Sequence, residues 1–193
     1  MATKGEATRS LILQAAYRLF LEKGYSAASM RDIVAASGIT MGGIYNHFSG
    51  KEQIFDAVFQ EYNPIQQVLP AILLAEGDSL EALVHDAARR MIEGLGESSQ
   101  GLKLMFIEIV EFQGRHFEAA LEVGFPQAMR LASGFVQFQG QVRPIPLPAL
   151  ARSFIGLFFS YFMTSLIFPG RFAPQAGDME QFVDIYLHGI LEQ

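Results

Sequence analysis

The sequence predicts an all-α protein in which three short N-terminal helices precede a larger helical body. Apolar residues recur at helical spacing, and no segment alternates with the period of two that a half-buried strand requires. The hydrophobic share of 50% over 193 residues supports a substantial core. Glycine and proline punctuate the chain between helix-length segments.

The first two predicted helices each bury one side. The first runs from about Thr8 to Lys23. The second starts at Met30, because Ser29 and Asp32 fit a capping box, and it stops at Gly38 in a left-handed conformation. The predicted inner face of the first helix consists of Ile12, Ala15, Ala16, Leu19 and Phe20.

The third predicted helix is short and has an unusual outer face. Thr40 can cap it, and Ile44 and Phe48 point inward because they lie four residues apart. Each glycine on the outer face costs about 1 kcal/mol of helix stability relative to alanine, but it lets a backbone approach another molecule closely. DNA is the natural candidate. The outer face carries Met41, Gly42, Tyr45 and Asn46, with His47 at its edge.

The fourth predicted helix opens at Gly50 with a second capping box, formed by Ser49 and Glu52. Lys51 would then lie in its first turn, where a cation opposes the helix dipole. Backbone amides and a lysine together suit a phosphate. Simple solvation of Lys51 is the alternative. We favour the phosphate because the tyrosine and histidine of the third helix can donate hydrogen bonds beside it.

These residues resemble a known family. The segment GITMGGIYNHFSGKEQIFDAV is similar to the helix-turn-helix of the TetR/AcrR transcriptional regulators. The preceding LILQAAYRLFLEKGYSAASMRDIVAASG also matches, including the end of the first helix at Phe20, Gly24 and Tyr25. The resemblance is specific from about Leu11 to Val58.

The resemblance implies a role for each matching residue. The start of the second helix would lie near phosphates or base edges, at Ser29, Met30 and Arg31. The groove would be faced by Thr40, Met41, Gly42, Gly43 and Asn46. The DNA backbone would be held by Tyr45, His47 and Lys51. Members of the family often carry Ser or Thr where Gly43 stands, so the base preference does not carry over to this chain.

The resemblance also implies the organisation of the whole chain. Residues 1–51 would form a helix-turn-helix DNA-binding domain, and a fourth helix from about residue 50 would link it to the remainder. Residues 52–193 would form a helical domain that binds a small effector and dimerises. The expected protein is a ligand-responsive regulator, most often a repressor, bound as a homodimer to a palindromic double-stranded operator. No cofactor is expected.

Charge is distributed unevenly along the chain. Residues 1–51 contain six basic and three acidic side chains, whereas the remaining residues contain eight basic and 17 acidic ones, for a net charge of −6. A basic end on an acidic body is expected when one end alone meets DNA.

Further helices are predicted after the fourth, which continues to about Tyr62 before Pro64 breaks the chain. A QVRPIPLP stretch is predicted to be an extended loop. The later helices are predicted over Ile65–Leu74, from Asp78 through SLEALVHDAARRMIEGLG, over Leu102–Gln113, over His116–Gln139 with a kink at Pro126, over Leu147–Phe168 and over Asp178–Leu191.

The segment between Arg152 and Arg171 contains eighteen uncharged residues, which approaches the length of a membrane span. Scattered hydroxyl groups and the Pro169-Gly170 pair argue against a span. We expect instead a helix buried between its own core and a partner, and no membrane association. The N-terminus lacks an apolar signal region, which predicts a cytoplasmic location.

The body is rich in phenylalanine and methionine, whose adaptable side chains suit an apolar ligand pocket as well as a core. Core packing is the alternative for each residue, and for Glu108 a surface position on an amphipathic helix is equally favoured. The candidate ligand-binding residues are Met91, Met105, Glu108, Phe112, Phe125, Met129, Phe158 and Phe162.

The last two helices are predicted to form a dimer seam. Small residues recur every four positions in the first of them, which permits close helix approach, and the last helix has a matching apolar face. Packing inside one subunit is the alternative. The predicted seam residues are Gly156, Phe159, Ser160, Met163, Thr164, Phe182, Ile185, Tyr186 and Gly189.

Other classes of function find little support. The chain has no cysteine, which excludes disulfides and thiolate metal sites. It contains no G-x-S-x-G or H-E-x-x-H motif and no phosphate-binding glycine loop, so neither catalytic nor metal residues are predicted. The main alternative is a helical interaction or scaffold module that has lost operator binding. Retention of Tyr45, His47 and Lys51 together weighs against it.

Overall fold

The structure is a computed structural model, and it describes residues 3–95, 100–117, 138, 143–168, 170–171 and 177–190. It confirms the all-α prediction, since no strand occurs among these residues. Of the predicted helix His116–Gln139, only the first two residues and residue 138 are described. The helices are α1 (Lys4–Lys23), α2 (Met30–Ser37), α3 (Met41–Tyr45), α4 (Lys51–Tyr62), α5 (Ile65–Ile72), α6 (Leu80–Leu95), α7 (Gln100–Phe112), α8 (Leu147–Ile167) and α9 (Asp178–Ile190).

Helix α1 begins at Lys4 rather than near Thr8, because Thr3 caps it. The Thr3 hydroxyl accepts a hydrogen bond from the backbone N–H of Glu6, and the Glu6 carboxylate accepts one from the backbone N–H of Thr3. These bonds hold the pKa of Glu6 below its ordinary value. The extra turn places Lys4 inside the helix.

The chain divides into two compact units. The first comprises Met1–Gln66 and Gln100–Glu122, and the second comprises Gln67–Ser99 and Val123–Gln193. The first unit includes α4, which was predicted to link the domains, and α7, which was predicted to belong to the body. The functional boundary near residue 51 stays a prediction.

The core of the first unit is built around aromatic side chains. Phe20 and Phe55 are fully buried with ring centroids 5.5 Å apart. Phe112 of α7 stacks on Phe55 at 4.4 Å, and Leu104 of the same helix is fully buried. Helix α7 therefore completes the core that α1 and α4 begin, and this packing gives the physical reason for the division.

The second unit has its own core, formed by α5, α6, α8 and α9. Val84 and Ala88 of α6 are buried at the helical spacing expected of an inner face. From α8 the core receives Phe158, and from α9 it receives Val183 and Leu187.

Helix α8 presents apolar residues on more than one side. Among the described residues, Pro148–Ile167 is the one helix long and apolar enough to cross a membrane by length and composition, and 18% of that stretch is buried. Core helices of soluble proteins pass the same test. The Thr164 and Ser165 hydroxyls donate to the backbone carbonyl of Tyr161. Burial on the remaining sides by a partner stays a prediction.

Candidate nucleic-acid interface

The turn between α2 and α3 has the caps that the sequence predicts. The Ser29 hydroxyl accepts from the backbone N–H of Asp32, whose carboxylate accepts from the Ser29 backbone N–H at 2.9 Å. Gly38 ends α2 with φ 70°, a left-handed conformation that glycine adopts without steric cost. Thr40 caps α3 by accepting from the backbone N–H of Gly43 at 3.2 Å. Both capping predictions are confirmed.

Packing fixes which side of α3 is exposed. Ile44 is fully buried, and Phe48 is 3% exposed although it lies beyond the end of the helix. The guanidinium carbon of Arg9 lies 5.5 Å from the centroid of the Phe48 ring, so α1 also covers this segment. The prediction that Ile44 and Phe48 point inward is confirmed.

Most of the residues predicted to contact DNA lie on the side of α3 opposite Ile44 and Phe48. Tyr45 is 53% exposed. The Asn46 side chain makes no hydrogen bond to any other residue that the structure describes. The exposed members of the group are Thr40, Gly42, Tyr45 and Asn46, and the half-buried ones are Met41, Gly43 and His47.

The two glycines of α3 have different explanations. A Cβ atom at Gly43 would lie 2.8 Å from Cγ2 of Ile39 and 3.2 Å from the Thr40 hydroxyl, so packing within the chain favours glycine there. A Cβ atom at Gly42 would meet nothing within 4 Å. Glycine at position 42 costs helix stability without a compensating contact in the described chain. The space that it leaves is open to a partner.

At the start of α2, Ser29 and Met30 have partners within the chain, whereas Arg31 is exposed. The Ser29 hydroxyl is engaged in the cap, and Met30 is half-buried against the core, so neither is a free contact for DNA. Bonds from Ser29 and Lys23 lower the pKa of Asp32 to about 2, so this cap stays charged in mildly acidic solution as well as at neutral pH. Arg31 is exposed. Of the three residues predicted to contact DNA at the start of α2, Arg31 is the one whose charge is available to a phosphate.

The start of α4 differs from the prediction. Helix α4 begins at Lys51 with Gly50 as its N-cap, and no side chain caps it, so the predicted box of Ser49 and Glu52 is wrong. The Ser49 backbone N–H instead donates to Oε1 of Gln53 at 2.6 Å. Glu52 is drawn away by an ion pair with Arg115 of the segment after α7, at 2.6 Å.

Lys51 is held inside the first unit. Its Nζ donates to the backbone carbonyls of Tyr25 at 2.7 Å and Ala28 at 2.8 Å, and it lies 4.2 Å from the centroid of the Tyr25 ring. An ammonium group has three hydrogens, so one is left for a phosphate. Side-chain spacing does not predict this role, because carbonyl acceptors in a distant turn leave no trace in it. These bonds argue against simple solvation of Lys51, and its phosphate contact stays a prediction.

We expect Lys51→Ala to lower the free energy of unfolding by about 2 kcal/mol, because two hydrogen bonds to a charged group are lost. It should also weaken DNA binding to all sequences alike and reduce the salt slope by about 1, if the third hydrogen reaches a phosphate. Urea unfolding and binding titrations at several salt concentrations measure both effects.

Lys23→Ala is the matched control, because Lys23 pairs with Asp32 at 3.2 Å on the surface and should contribute less than about 1 kcal/mol. A changed base preference for Lys51→Ala together with an unchanged salt slope would show that Lys51 is not a phosphate contact.

A buried polar network joins α4 to the α7 segment of the first unit. His116 donates its backbone N–H to Oε1 of Glu108 at 2.7 Å, and its Nδ1 lies 2.5 Å from Oε2 of the same carboxylate. Its Nε2 lies 2.6 Å from Oδ1 of Asp56. Glu108 is fully buried. It is therefore neither a surface acid nor a free pocket group, which corrects both interpretations of the sequence.

The residues predicted to bind a ligand are divided between the two units. In the first unit, Phe112 and Glu108 have internal partners, and Met105 is half-buried. Phe125 and Met129 lie outside the described residues. The second unit holds the remaining three, of which two are core residues and one is half-buried: Met91, Phe158 and Phe162.

The predicted seam residues fall into two groups within the second unit. One group is exposed on the protomer. The other packs partly or wholly within the unit, where the Tyr186 hydroxyl donates to the Leu150 carbonyl at 3.1 Å. The exposed group is Gly156, Phe159, Ser160, Ile185 and Gly189, and the packed group is Met163, Thr164, Phe182 and Tyr186.

Three comparisons with known proteins bear on this arrangement. The family model described as "Bacterial regulatory proteins, tetR family" matches residues 12–58. The chain is 25% identical over 189 residues to the uncharacterized HTH-type transcriptional regulator YfiR of Bacillus subtilis, covering 94% of this chain and 90% of YfiR. It is 30% identical over 118 residues to the HTH-type transcriptional repressor BepR of Brucella suis, covering 49% of this chain and 56% of BepR.

A solved structure shares the fold over nearly the whole chain. NalD, the secondary repressor of the MexAB-OprM multidrug efflux pump in Pseudomonas aeruginosa, superposes with a TM-score of 0.72 at 24% identity, covering 98% of this chain and 100% of NalD. The matched segment of the family model contains the whole of α2 and α3 with their caps. This chain belongs to the TetR family of helix-turn-helix, DNA-binding transcriptional regulators.

Proposed function

We propose that this protein is a homodimeric repressor that binds a palindromic operator through α3 and is released from it by a small apolar or amphipathic effector. The observation that carries the DNA-binding part is the exposed, uncharged face of α3, with the open space at Gly42 on a helix whose other side is buried. Such a helix is shaped for a major groove, and α2 would cross the adjacent backbone.

Two half-sites follow from the size of α3. A five-residue helix contacts too few base pairs to select one site in a genome, so two copies related by a two-fold axis are needed. Exposed apolar residues on α8 and α9 support such a dimer, since a two-fold interface would remove their surface from water. Among them, Ile155 is 64% exposed, Phe159 is 47% exposed and Ile185 is 71% exposed.

The effector is expected in the second unit, which holds three of the predicted ligand-binding residues. Met91, Phe158 and Phe162 support this proposal, whereas the internal bonds of Glu108 remove it from the site. Release of DNA requires the effector to prefer the conformer whose two α3 helices are wrongly spaced, because equal affinity for both conformers shifts nothing. Helix α4, which follows the DNA-binding helices in the chain, is the proposed lever that displaces them.

The operator is tested by gel shift and footprinting on the DNA that flanks its own gene. We expect a protected region with two half-sites about one helical turn apart. Gly42→Ala should weaken this binding while leaving the protein as stable as the parent or more stable, because an added methyl group meets nothing in the chain. Gln60→Ala, an exposed change on α4, is the control. A single protected half-site with one bound chain would contradict the dimeric operator, and absence of specific binding would favour an interaction module.

The effector role is tested by titrating small apolar and amphipathic compounds into the protein–DNA complex. We expect a subset to release the DNA and to raise the melting temperature of the free protein. A compound that binds and leaves operator affinity unchanged would not be an effector. If every compound that binds behaves in this way, the proposal of ligand response fails.

A further inference from the structure

The segment that includes α3 carries no formal charge. No Lys, Arg, Asp or Glu occurs between Asp32 and Lys51, and the only titratable groups there are those of Tyr45 and His47. The nearest following cation, Lys51, is turned toward backbone carbonyls of the first unit. The face proposed to enter the groove therefore offers an amide, a thioether, two hydroxyls and bare backbone.

Each base presents a different set of groups in the major groove, and side chains match them by geometry. Guanine is read by Arg or Lys at O6 and N7, and cytosine by an acidic side chain at N4. Adenine is read by Asn or Gln at N6 and N7, and the thymine methyl group by apolar contact. The α3 face has the groups that read adenine and thymine and lacks the charged groups that read guanine and cytosine.

The positions of Asn46, Met41 and Gly42 in α3 fit the recognition of adenine and thymine. Asn46 caps the end of α3, is exposed, and makes no side-chain hydrogen bond to the described chain, so its amide donor and acceptor are both available. Met41 lies at the start of the helix, half-buried, and Gly42 beside it presents backbone with open space above. One end of α3 thus offers hydrogen bonds and the other offers apolar surface.

The basic residues nearby have other tasks. Arg31 lies at the start of α2, which crosses the phosphate backbone in this motif. Arg9 pairs with Glu61 at 3.7 Å and lies against the Phe48 ring. Phosphate contacts position the protein but carry no sequence information.

We infer that the base pairs specified by α3 in each operator half-site are A·T pairs, with an adenine read by the Asn46 amide and a thymine methyl group packed on Met41 and Gly42. This inference rests on the proposed entry of α3 into the major groove. It adds to that proposal the type of base pair that the helix selects.

The test is selection from a randomised double-stranded DNA pool by the full-length protein, followed by sequencing of the bound fraction. We expect enriched half-sites with A·T pairs at the strongly selected positions. Replacing the selected A·T pair at the Asn46 position with G·C should weaken binding about tenfold or more.

Two variants assign the positions. Asn46→Ala should remove selection at one base pair of each half-site and leave the others, with the salt dependence unchanged. Met41→Arg should introduce a preference for guanine at another position, because an arginine reads O6 and N7. Gln60→Ala on α4 should select the same sequences as the parent. Unchanged circular dichroism and retained non-specific DNA binding show that each variant is folded.

The outcomes separate this inference from the proposed function. Enriched half-sites whose Asn46-dependent positions are G·C pairs would overturn the A·T assignment and leave operator binding intact. A pool that yields no enriched sequence, with binding that is only salt-dependent, would overturn both.

Discussion

Ser160→Arg is expected to abolish the dimer and, with it, operator binding, while helix content is largely kept. Ser160 is exposed on α8, four residues after the exposed Gly156 and beside Phe159. A two-fold axis would bring two such arginines into the same seam, where each would lose hydration without gaining a partner. The cost should reach about 3 kcal/mol or more, because a buried and unpaired charge is among the most destabilising changes.

Sedimentation velocity, footprinting and circular dichroism measure the three parts of this result. Ala82→Arg is the control, since it places the same side chain on an exposed position of α6 in the same unit. It should remain dimeric and bind the operator. A Ser160→Arg protein that stays dimeric would refute the proposed seam and favour packing of α8 and α9 within one subunit alone.

His116→Ala is expected to lower the free energy of unfolding by about 3 kcal/mol. The change removes the imidazole that pairs with the fully buried Glu108 carboxylate and leaves that carboxylate only the backbone N–H of residue 116. It also removes a ring packed 5.2 Å from Phe112 and 5.6 Å from Phe55. A buried charge deprived of its partner is far more costly than a lost surface pair. Urea unfolding followed by circular dichroism gives the value.

A matched control and a rescue identify the cause. His85→Ala breaks another histidine–carboxylate pair, with Asp184 at 3.3 Å, but the Asp184 side chain is 55% exposed, so the expected loss is below about 1 kcal/mol. Adding Glu108→Leu to His116→Ala should recover part of the stability, because the buried charge is then absent. Equal losses for His116→Ala and His85→Ala would mean that the Glu108 network contributes no more than a surface pair.

The local signals of the DNA-binding end were sufficient to predict its helices. Caps at Ser29 and Thr40, a left-handed glycine at Gly38 and the inward pair of Ile44 and Phe48 act over three to four residues, so they can be recognised in the sequence. The prediction for the cap of α4 was wrong because a residue distant in the chain binds the acid on which it depended. The acid that should have closed it, Glu52, is engaged by Arg115, which is 63 residues away in the chain.

The roles of Lys51 and Glu108 depended on residues that no local pattern connects. Lys51 bonds to carbonyls 23 and 26 residues earlier. Glu108 pairs with His116, eight residues later, and His116 in turn bonds to Asp56 across 60 residues. Their sequence neighbours predicted a phosphate contact for one and left a surface or pocket position open for the other. Tertiary packing gave both an internal partner, since buried charges are retained where such partners exist.

The sequence by itself determined the all-α class, the helix-turn-helix and the uncharged face of α3, because helix periodicity, caps and residue chemistry are local properties. The tertiary structure alone decided that α4 and α7 complete the core of the first unit through Phe55 and Phe112. It also decided that a Cβ atom at Gly43 would crowd neighbouring side chains, whereas a Cβ atom at Gly42 would contact nothing in the chain. These outcomes depend on which surfaces meet in three dimensions, and contacts between distant segments are fixed by the packing of whole helices rather than by the residues adjacent in the chain.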